Sequence, residues 1–109
     1  MKSVPVALLA FFALASPALA QTPPCAAEAS KAALKLLKLH TDGDDRASVD
    51  GAVRKIGTVK PLTGKGAFDV LEVAGYVYKG EYRIRLIYAQ MPGSCVLMGQ
   101  EILERSNPY

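Results

Sequence analysis

The sequence is poor in the residues that most often build catalytic and metal sites. Its 109 residues include one histidine and two cysteines, and no Cys-x-x-Cys pair occurs. A catalytic or metal-binding thiol therefore has little support. The formal net charge is only +3, and the charged residues are scattered, which argues against a nucleic-acid partner.

Two loop segments resemble ligand-binding motifs but lack their decisive residues. The acidic run 42–45 is not followed by the glycine and the final glutamate of an EF-hand loop. Segment 61–67 lacks the first glycine of a phosphate-binding loop and the Ser or Thr after its lysine. Met91, Met98 and His40 are the residue types of a copper site, but Met91 is predicted to lie in a turn and Met98 to point outward. We expect His40 to be a partly buried core residue rather than a base or a copper ligand. We expect no metal, no cofactor and no enzyme activity.

The one long apolar run lies at the N-terminus. Lys2 precedes the apolar residues 6–15, and Ala18-Leu19-Ala20 has the small-x-small pattern of a cleavage site. The run is shorter than the roughly 18 residues that a membrane span needs. We therefore predict a signal peptide over residues 1–20, a single domain over residues 21–109, and a periplasmic or secreted location without a membrane span after cleavage.

The two cysteines of such an exported chain are expected to form a disulfide between Cys25 and Cys95. It would close a loop of about 70 residues, which is worth on the order of 4 kcal/mol in the chain-entropy model. For a domain this small, that is a large share of the net stability.

Residues 68–104 predict three antiparallel strands, because they are rich in Val, Ile, Leu and Tyr and contain two turn signals. Lys79-Gly80 is the first turn and segment 91–94 is the second. Side chains alternate between the two faces of a sheet. One almost wholly apolar set, which we call the inner face, contains Leu71, Val73, Gly75, Val77, Tyr82, Ile84, Leu86, Tyr88, Cys95, Leu97, Gly99 and Leu103. Glu101 falls on this face too, which indicates a β-bulge near Gly99 or fraying at the end of the sheet.

Residues 25–39 predict an amphipathic helix, and the disulfide directs its apolar side onto the inner face. Residues 48–56 predict a short second helix, because apolar residues recur at i, i+3, i+4 and i+7; a strand is the alternative. Residues 58–62 predict a short edge strand. The expected fold class is α+β, with an N-terminal helix packed on one face of a three- to four-stranded antiparallel meander stapled by one disulfide.

The opposite side of the sheet, the outer face, combines apolar residues with a band of tyrosines and charges. Residues 46–62 either cover this face or leave it free to bind another molecule. Tyr and Arg are favoured in interfaces, so we predict a binding module for an envelope or extracellular protein or peptide. The alternative is a structural or assembly protein with a homodimer interface here. The predicted partner-binding residues are Glu72, Tyr76, Tyr78, Arg83, Arg85 and Met98.

The run Ser48-Val-Asp-Gly-Ala-Val-Arg-Lys-Ile56, followed by short strands and by Tyr88-Ala-Gln-Met-Pro-Gly-Ser-Cys-Val-Leu97, resembles the layout of PepSY domains. These are small exported modules with a helix on antiparallel strands, thought to bind or inhibit proteases. Gln90 stands where that family has Asp. Leu71-Glu-Val-Ala-Gly75 is similar to the Gln-x-Val-x-Gly loop of cystatins, without its Gln. Both resemblances imply an inhibitory or binding role, and neither assigns a functional residue.

Overall fold

A computed structural model describes residues 22–106, so the predicted signal peptide lies outside the described residues. The strands form one antiparallel sheet in the order β1-β2-β3-β4. The expected α+β class is confirmed, with four strands in the meander. The elements are α1 (Ala26–His40), β1 (Ser48–Val59), β2 (Phe68–Val77), β3 (Gly80–Ala89) and β4 (Leu97–Ser106).

The hydrophobic core lies between α1 and the inner face of the sheet. Alternate residues of β2 and β3 are buried there, as the sequence predicts. Burial of large aliphatic side chains is the main favourable term for a domain of this size. The buried core residues are Ala29, Ala33, Leu37, Leu71, Val73, Val77, Tyr82, Ile84, Leu86 and Tyr88.

Gly75 allows α1 to approach β2 closely. A Cβ atom added at this position would lie 3.0 Å from Cδ2 of Leu37 and 2.9 Å from Cδ1 of Ile84. Leu37 is itself fully buried, so it has little room to move. The missing side chain of Gly75 therefore sets the distance between the helix and the sheet.

The predicted disulfide between Cys25 and Cys95 is present, with a Cα–Cα distance of 5.7 Å. It joins the residue before α1 to the segment that leads into β4. The N-terminal helix is thereby fixed on the inner face, as expected.

The predicted second helix over residues 48–56 is wrong, because these residues belong to β1. β1 pairs antiparallel with β2 and carries two irregularities, one between Val49 and Val53 and one between Lys55 and Gly57. Val49 and Val53 both pack against the core, so their spacing of four imitates a helical period. Residues 48–59 therefore extend the sheet sideways and do not cover its outer face.

The β2–β3 register differs by two residues from the prediction. Val77 pairs with Gly80, so Tyr78 and Lys79 form the turn instead of Lys79 and Gly80. Tyr78 itself takes a positive φ of 55°, a conformation that glycine adopts more readily than other residues. A shift of two residues preserves the alternation of faces, and for this reason the predicted inner face of β2 and β3 is correct.

A β-bulge at Met98 reverses the predicted faces of β4. Tyr88 pairs with Leu97 but Ile87 pairs with Gly99, which leaves Met98 as an extra residue. Ile102 consequently packs against the core instead of lying on the outer face. Leu103, predicted to face inward, pairs with the outward-facing Arg83. The bulge itself agrees with the expectation of an irregularity near Gly99.

Candidate functional site on the outer sheet face

Within residues 22–106, the outer face of the sheet is a surface that the fold leaves without a covering element. Helix α1 packs on the inner face of β1, β2 and β3, and within residues 22–106 no second layer lies on the other side. One helix covers only one face of a sheet, so the outer side chains of all four strands are presented together.

A straight row of alternating charge crosses this face, with one residue from each strand. The charged row consists of Arg54 on β1, Glu72 on β2, Arg85 on β3 and Glu101 on β4, and each member is the direct strand partner of the next. Nη2 of Arg54 donates to Oε1 of Glu72 at 2.8 Å. Nε of Arg85 donates to Oε2 of Glu72 at 3.2 Å, and its Nη1 donates to Oε1 of Glu101 at 2.9 Å. Three ion pairs thus link all four strands.

Glu72 is the centre of this row and is only 7% exposed. The side chains of Arg54 and Arg85 bind both of its oxygens. Burial raises the pKa of Glu72. The hydrogen bonds from Arg54 and Arg85 and the nearby charge of Arg83 lower this pKa by more than burial raises it, so the net shift is downward. Glu72 is therefore ionised at neutral pH and engaged on both oxygens, which makes it a poor proton acceptor.

The guanidinium of Arg85 is held between two carboxylates. Its hydrogen bond to Glu101 and then that to Glu72 raise the pKa of Arg85 above its ordinary value. The two ends of the row are more open: the side chain of Arg54 is 71% exposed and that of Glu101 is 48% exposed. Each end residue has a single ion-pair partner within residues 22–106, so its remaining hydrogen-bonding capacity faces outward.

The part of the outer face nearer the β2–β3 turn combines an aromatic ring with further charges. Tyr76 is 38% exposed and is the strand partner of Glu81. Arg83 makes no side-chain hydrogen bond or ion pair with any described residue. A shallow depression of about 220 Å³ lies here, bordered also by Asp50 and Arg105. Pockets for small molecules are usually ~300 to 1,000 Å³, so this depression is small for such a ligand.

The other half of the outer face is apolar. Gly57, Val70, Ile87 and Gly99 form a second row across the four strands, which we call the apolar row. A Cβ atom on Gly99 would lie 3.3 Å from Cδ1 of Ile87, so Ile87 leans over this glycine. The neighbouring strand pair towards the end of the sheet is Phe68 and Ala89. The charged row therefore divides an apolar half from a half that carries Tyr76, Glu81 and Arg83.

The structure brings four of the six predicted partner-binding residues together on this face: Glu72, Tyr76, Arg83 and Arg85. Tyr78 lies in the turn, where the guanidinium of Arg46 is 5.0 Å and the ammonium of Lys79 is 5.5 Å from its ring centroid. Met98 lies at the bulge of β4, beside the apolar row.

Arg54 and Glu101 belong to the charged row but were not predicted as site residues. Arg54 falls in the segment predicted as a helix, and Glu101 falls on the predicted inner face until the bulge is taken into account. Once the strands are paired in their observed register, the alternation of charge from one strand to the next identifies both residues.

A second concavity, of about 770 Å³, lies at the other end of the sheet around the disulfide and the β3–β4 connection. Its carboxylate, Asp69, accepts a hydrogen bond from Nε2 of Gln90 at 2.7 Å and lies 3.2 Å from Nζ of Lys55. The bond from Gln90 and the pairing with Lys55 lower the pKa of Asp69 against the opposing effect of burial. The acidic group of this concavity is therefore already engaged within the protein.

His40 is not the partly buried core residue that the sequence predicts. It is exposed at the last position of α1, and its ring packs edge-on against Tyr82 at a centroid distance of 5.7 Å. Within residues 22–106 no three His, Cys, Asp or Glu side chains are grouped so that they could hold a metal ion. Over the same range no helix has the length and apolar character that crossing a membrane requires.

No protein-family model, curated protein or solved structure matches the chain. The resemblances to PepSY domains and to cystatins therefore stay predictions.

Proposed function

We propose that the chain is a small exported binding module, without enzyme activity, that recognises a protein or peptide through the outer face of its sheet. The observation that carries this proposal is the charged row on a face that no described element covers. The row is held in place by three ion pairs, so its charges are presented in a fixed arrangement before any partner arrives. Such preorganisation lowers the entropic cost of binding.

The composition of the face supports a macromolecular partner. Aromatic residues and arginine are enriched in protein interfaces, and Tyr76, Arg83 and Arg85 all lie on this face. The surface is broad and shallow, and its depression of about 220 Å³ offers little volume for a small molecule. A flat partner surface or an extended peptide fits this shape better.

The chemistry of the charged groups supports binding rather than catalysis. A general base needs a pKa near the working pH and a free lone pair. Glu72 has a lowered pKa and accepts hydrogen bonds on both oxygens. Asp69 is similarly lowered and engaged.

The proposed compartment is the periplasm or the secreted space. Its structural support is the Cys25–Cys95 disulfide, because such bonds persist in oxidising compartments. The predicted signal peptide over residues 1–20 is part of the same proposal.

The proposal is tested by comparing two charge reversals on opposite sides of the molecule. Arg83→Glu changes the outer face, whereas Lys38→Glu makes the same change on exposed α1. The disulfide-bonded wild-type protein and both variants are immobilised and incubated with envelope extract from the expressing cells. We expect the proteins retained by the wild type to be lost with Arg83→Glu and kept with Lys38→Glu. Equal retention by all three proteins would refute recognition through the outer face.

A further inference from the structure

The charges of the row alternate in sign from one edge of the sheet to the other. From β1 to β4 the order is positive, negative, positive and negative, at Arg54, Glu72, Arg85 and Glu101. An even number of alternating charges changes sign when it is read backwards. The row is therefore complementary to its own reversed copy.

A second copy can be placed face to face by a two-fold axis that lies between the sheets and runs parallel to the strands. This axis exchanges β1 with β4 and β2 with β3. Arg54 then faces Glu101 of the other copy, and Glu72 faces its Arg85. A two-fold axis perpendicular to the strands would instead place each charge against the same charge, so the row selects the first orientation.

The remaining rows of the outer face match under the same axis. In the apolar row, Val70 meets Ile87, and the two glycines at the sheet edges meet each other. The bulky Phe68 meets the small Ala89.

The polar half of the face is matched as well. Tyr76 meets Glu81, its strand partner in the same chain, so the phenol hydroxyl of one copy faces a carboxylate of the other. Arg83 meets Ala74, which is small and leaves space for the long side chain. The residues of β2 and β3 that meet across the axis are thus compatible in size or in charge: Phe68 with the small Ala89, Tyr76 with Glu81, and Arg83 with the small Ala74.

The size of the face is sufficient for a specific, reversible dimer. Strands lie about 4.8 Å apart and rise about 3.3 Å per residue, so a face of four strands of this length covers about 600 Å². Two copies would bury about 1,200 Å² in total, at the lower end of specific interfaces. Packed sheets keep their strands within about 30° of each other, which this axis permits.

We infer that the partner of the outer face is a second copy of this chain, packed face to face about a two-fold axis parallel to the strands. This inference rests on the proposed function, because it names the occupant of the same recognition surface. The desolvation of Glu72 is already largely complete in one copy, so the buried centre of the row adds little new cost on association.

Two complementary charge reversals test the inference. Arg54→Glu gives a row that ends in negative charges on both sides, and Glu101→Arg gives a row that ends in positive charges on both sides. Each variant should repel its own copy, but the two should attract each other. Arg54 and Glu101 are the exposed members of the row, so we expect both variants to fold, which circular dichroism checks.

The disulfide-bonded wild-type protein, each variant and their equimolar mixture are compared by sedimentation velocity over a concentration series. We expect a wild-type dimer, a dissociation constant raised about tenfold or more in each variant alone, and a return to the wild-type value in the mixture. Mixing leaves the repulsion inside each chain unchanged, so this recovery cannot come from restored folding. The neutral variants Arg54→Gln and Glu101→Gln, which introduce no repulsion, should each weaken the dimer to a smaller extent.

Four results would overturn the inference. They are a wild-type monomer at every concentration, single variants as dimeric as the wild type, a mixture that stays monomeric, and species that grow beyond the dimer, which would place the contact at the open strand edges. None of these decides the proposed function, because the comparison of Arg83→Glu with Lys38→Glu tests recognition of any extract protein by the outer face, whereas sedimentation tests only the second copy.

Discussion

Replacing Glu72 by glutamine is expected to destabilise the fold more than any other single charge neutralisation in the charged row. Glu72 is only 7% exposed and accepts hydrogen bonds from arginines on both neighbouring strands. Glutamine keeps the size of the side chain but removes its negative charge. Its amide nitrogen can only donate, so it would point a donor at an arginine that also only donates.

The size of the expected loss in the free energy of unfolding follows from the burial of Glu72. Hydrogen bonds to charged groups are worth about 1.5 to 3 kcal/mol when they are buried. The bond from Arg54 counts for much less than the upper value, because that side chain is largely exposed and screened by solvent. We therefore expect a loss of about 2 kcal/mol in the free energy of unfolding, which corresponds to a decrease in Tm of about 10 °C for a domain of this size.

The measurement is thermal and urea unfolding of the disulfide-bonded protein, followed by circular dichroism. Glu101→Gln is the matched control, because it makes the same chemical change at the exposed end of the row. It should lower Tm by only a few degrees, as expected for a surface pair. Equal effects of Glu72→Gln and Glu101→Gln would refute the argument that Glu72 is the buried centre of the row.

The loss of stability caused by Glu72→Gln should depend on pH. The pKa of Glu72 is lower in the folded protein than its ordinary value, so its stabilisation is fully present above the pKa of an unfolded glutamate, about 4.3, and is lost as the pH falls through the folded pKa. The stability difference between wild type and Glu72→Gln should be largest at neutral pH and should narrow below about pH 4. A difference that is independent of pH would show that the charge of Glu72 is not its cause.

Two further predictions concern the scaffold that presents the face. Gly75→Ala should lower the free energy of unfolding by about 1 to 3 kcal/mol, because its Cβ would press on Leu37 and Ile84. The control is Gly51→Ala, where a Cβ meets no atom within 4 Å. An equal loss of stability in both variants would contradict the close approach of α1 to the sheet. Cys95→Ser should lower the free energy of unfolding by on the order of 4 kcal/mol, measured as a fall in the urea midpoint; an unchanged midpoint would show that the disulfide does not stabilise the fold.

The sequence predicts the central hairpin well because its signals are local. The alternation of Leu71, Val73 and Val77 with polar residues defines an inner face, and the error of two residues in the turn leaves that face unchanged. The disulfide is predictable because only two cysteines are present. Together they determine which face α1 covers.

The irregular parts of the sheet could not be predicted from the same signals. In β1, the irregularity sets a step of four residues, from Val49 to Val53, against a step of two on β2, and the spacing of these core-facing valines fits a helix as well as a strand. In β4, the extra residue Met98 exchanges the faces of everything that follows it. Because of these two irregularities, the sequence pattern did not place Arg54 and Glu101 on the outer face. Half of the charged row can therefore be identified only from the strand pairing.

The most direct test of the account compares the oxidation of two tyrosines that are close in sequence. Tyr76 lies on the outer face and is 38% exposed, whereas Tyr78 lies in the turn and is 59% exposed. Hydroxyl-radical labelling followed by mass spectrometry is performed on the disulfide-bonded protein, dilute and then associated at high concentration or with a retained partner. Recognition through the outer face predicts that Tyr76 becomes protected on association while Tyr78 keeps its reactivity. Unchanged labelling of Tyr76 in the associated protein would contradict the account.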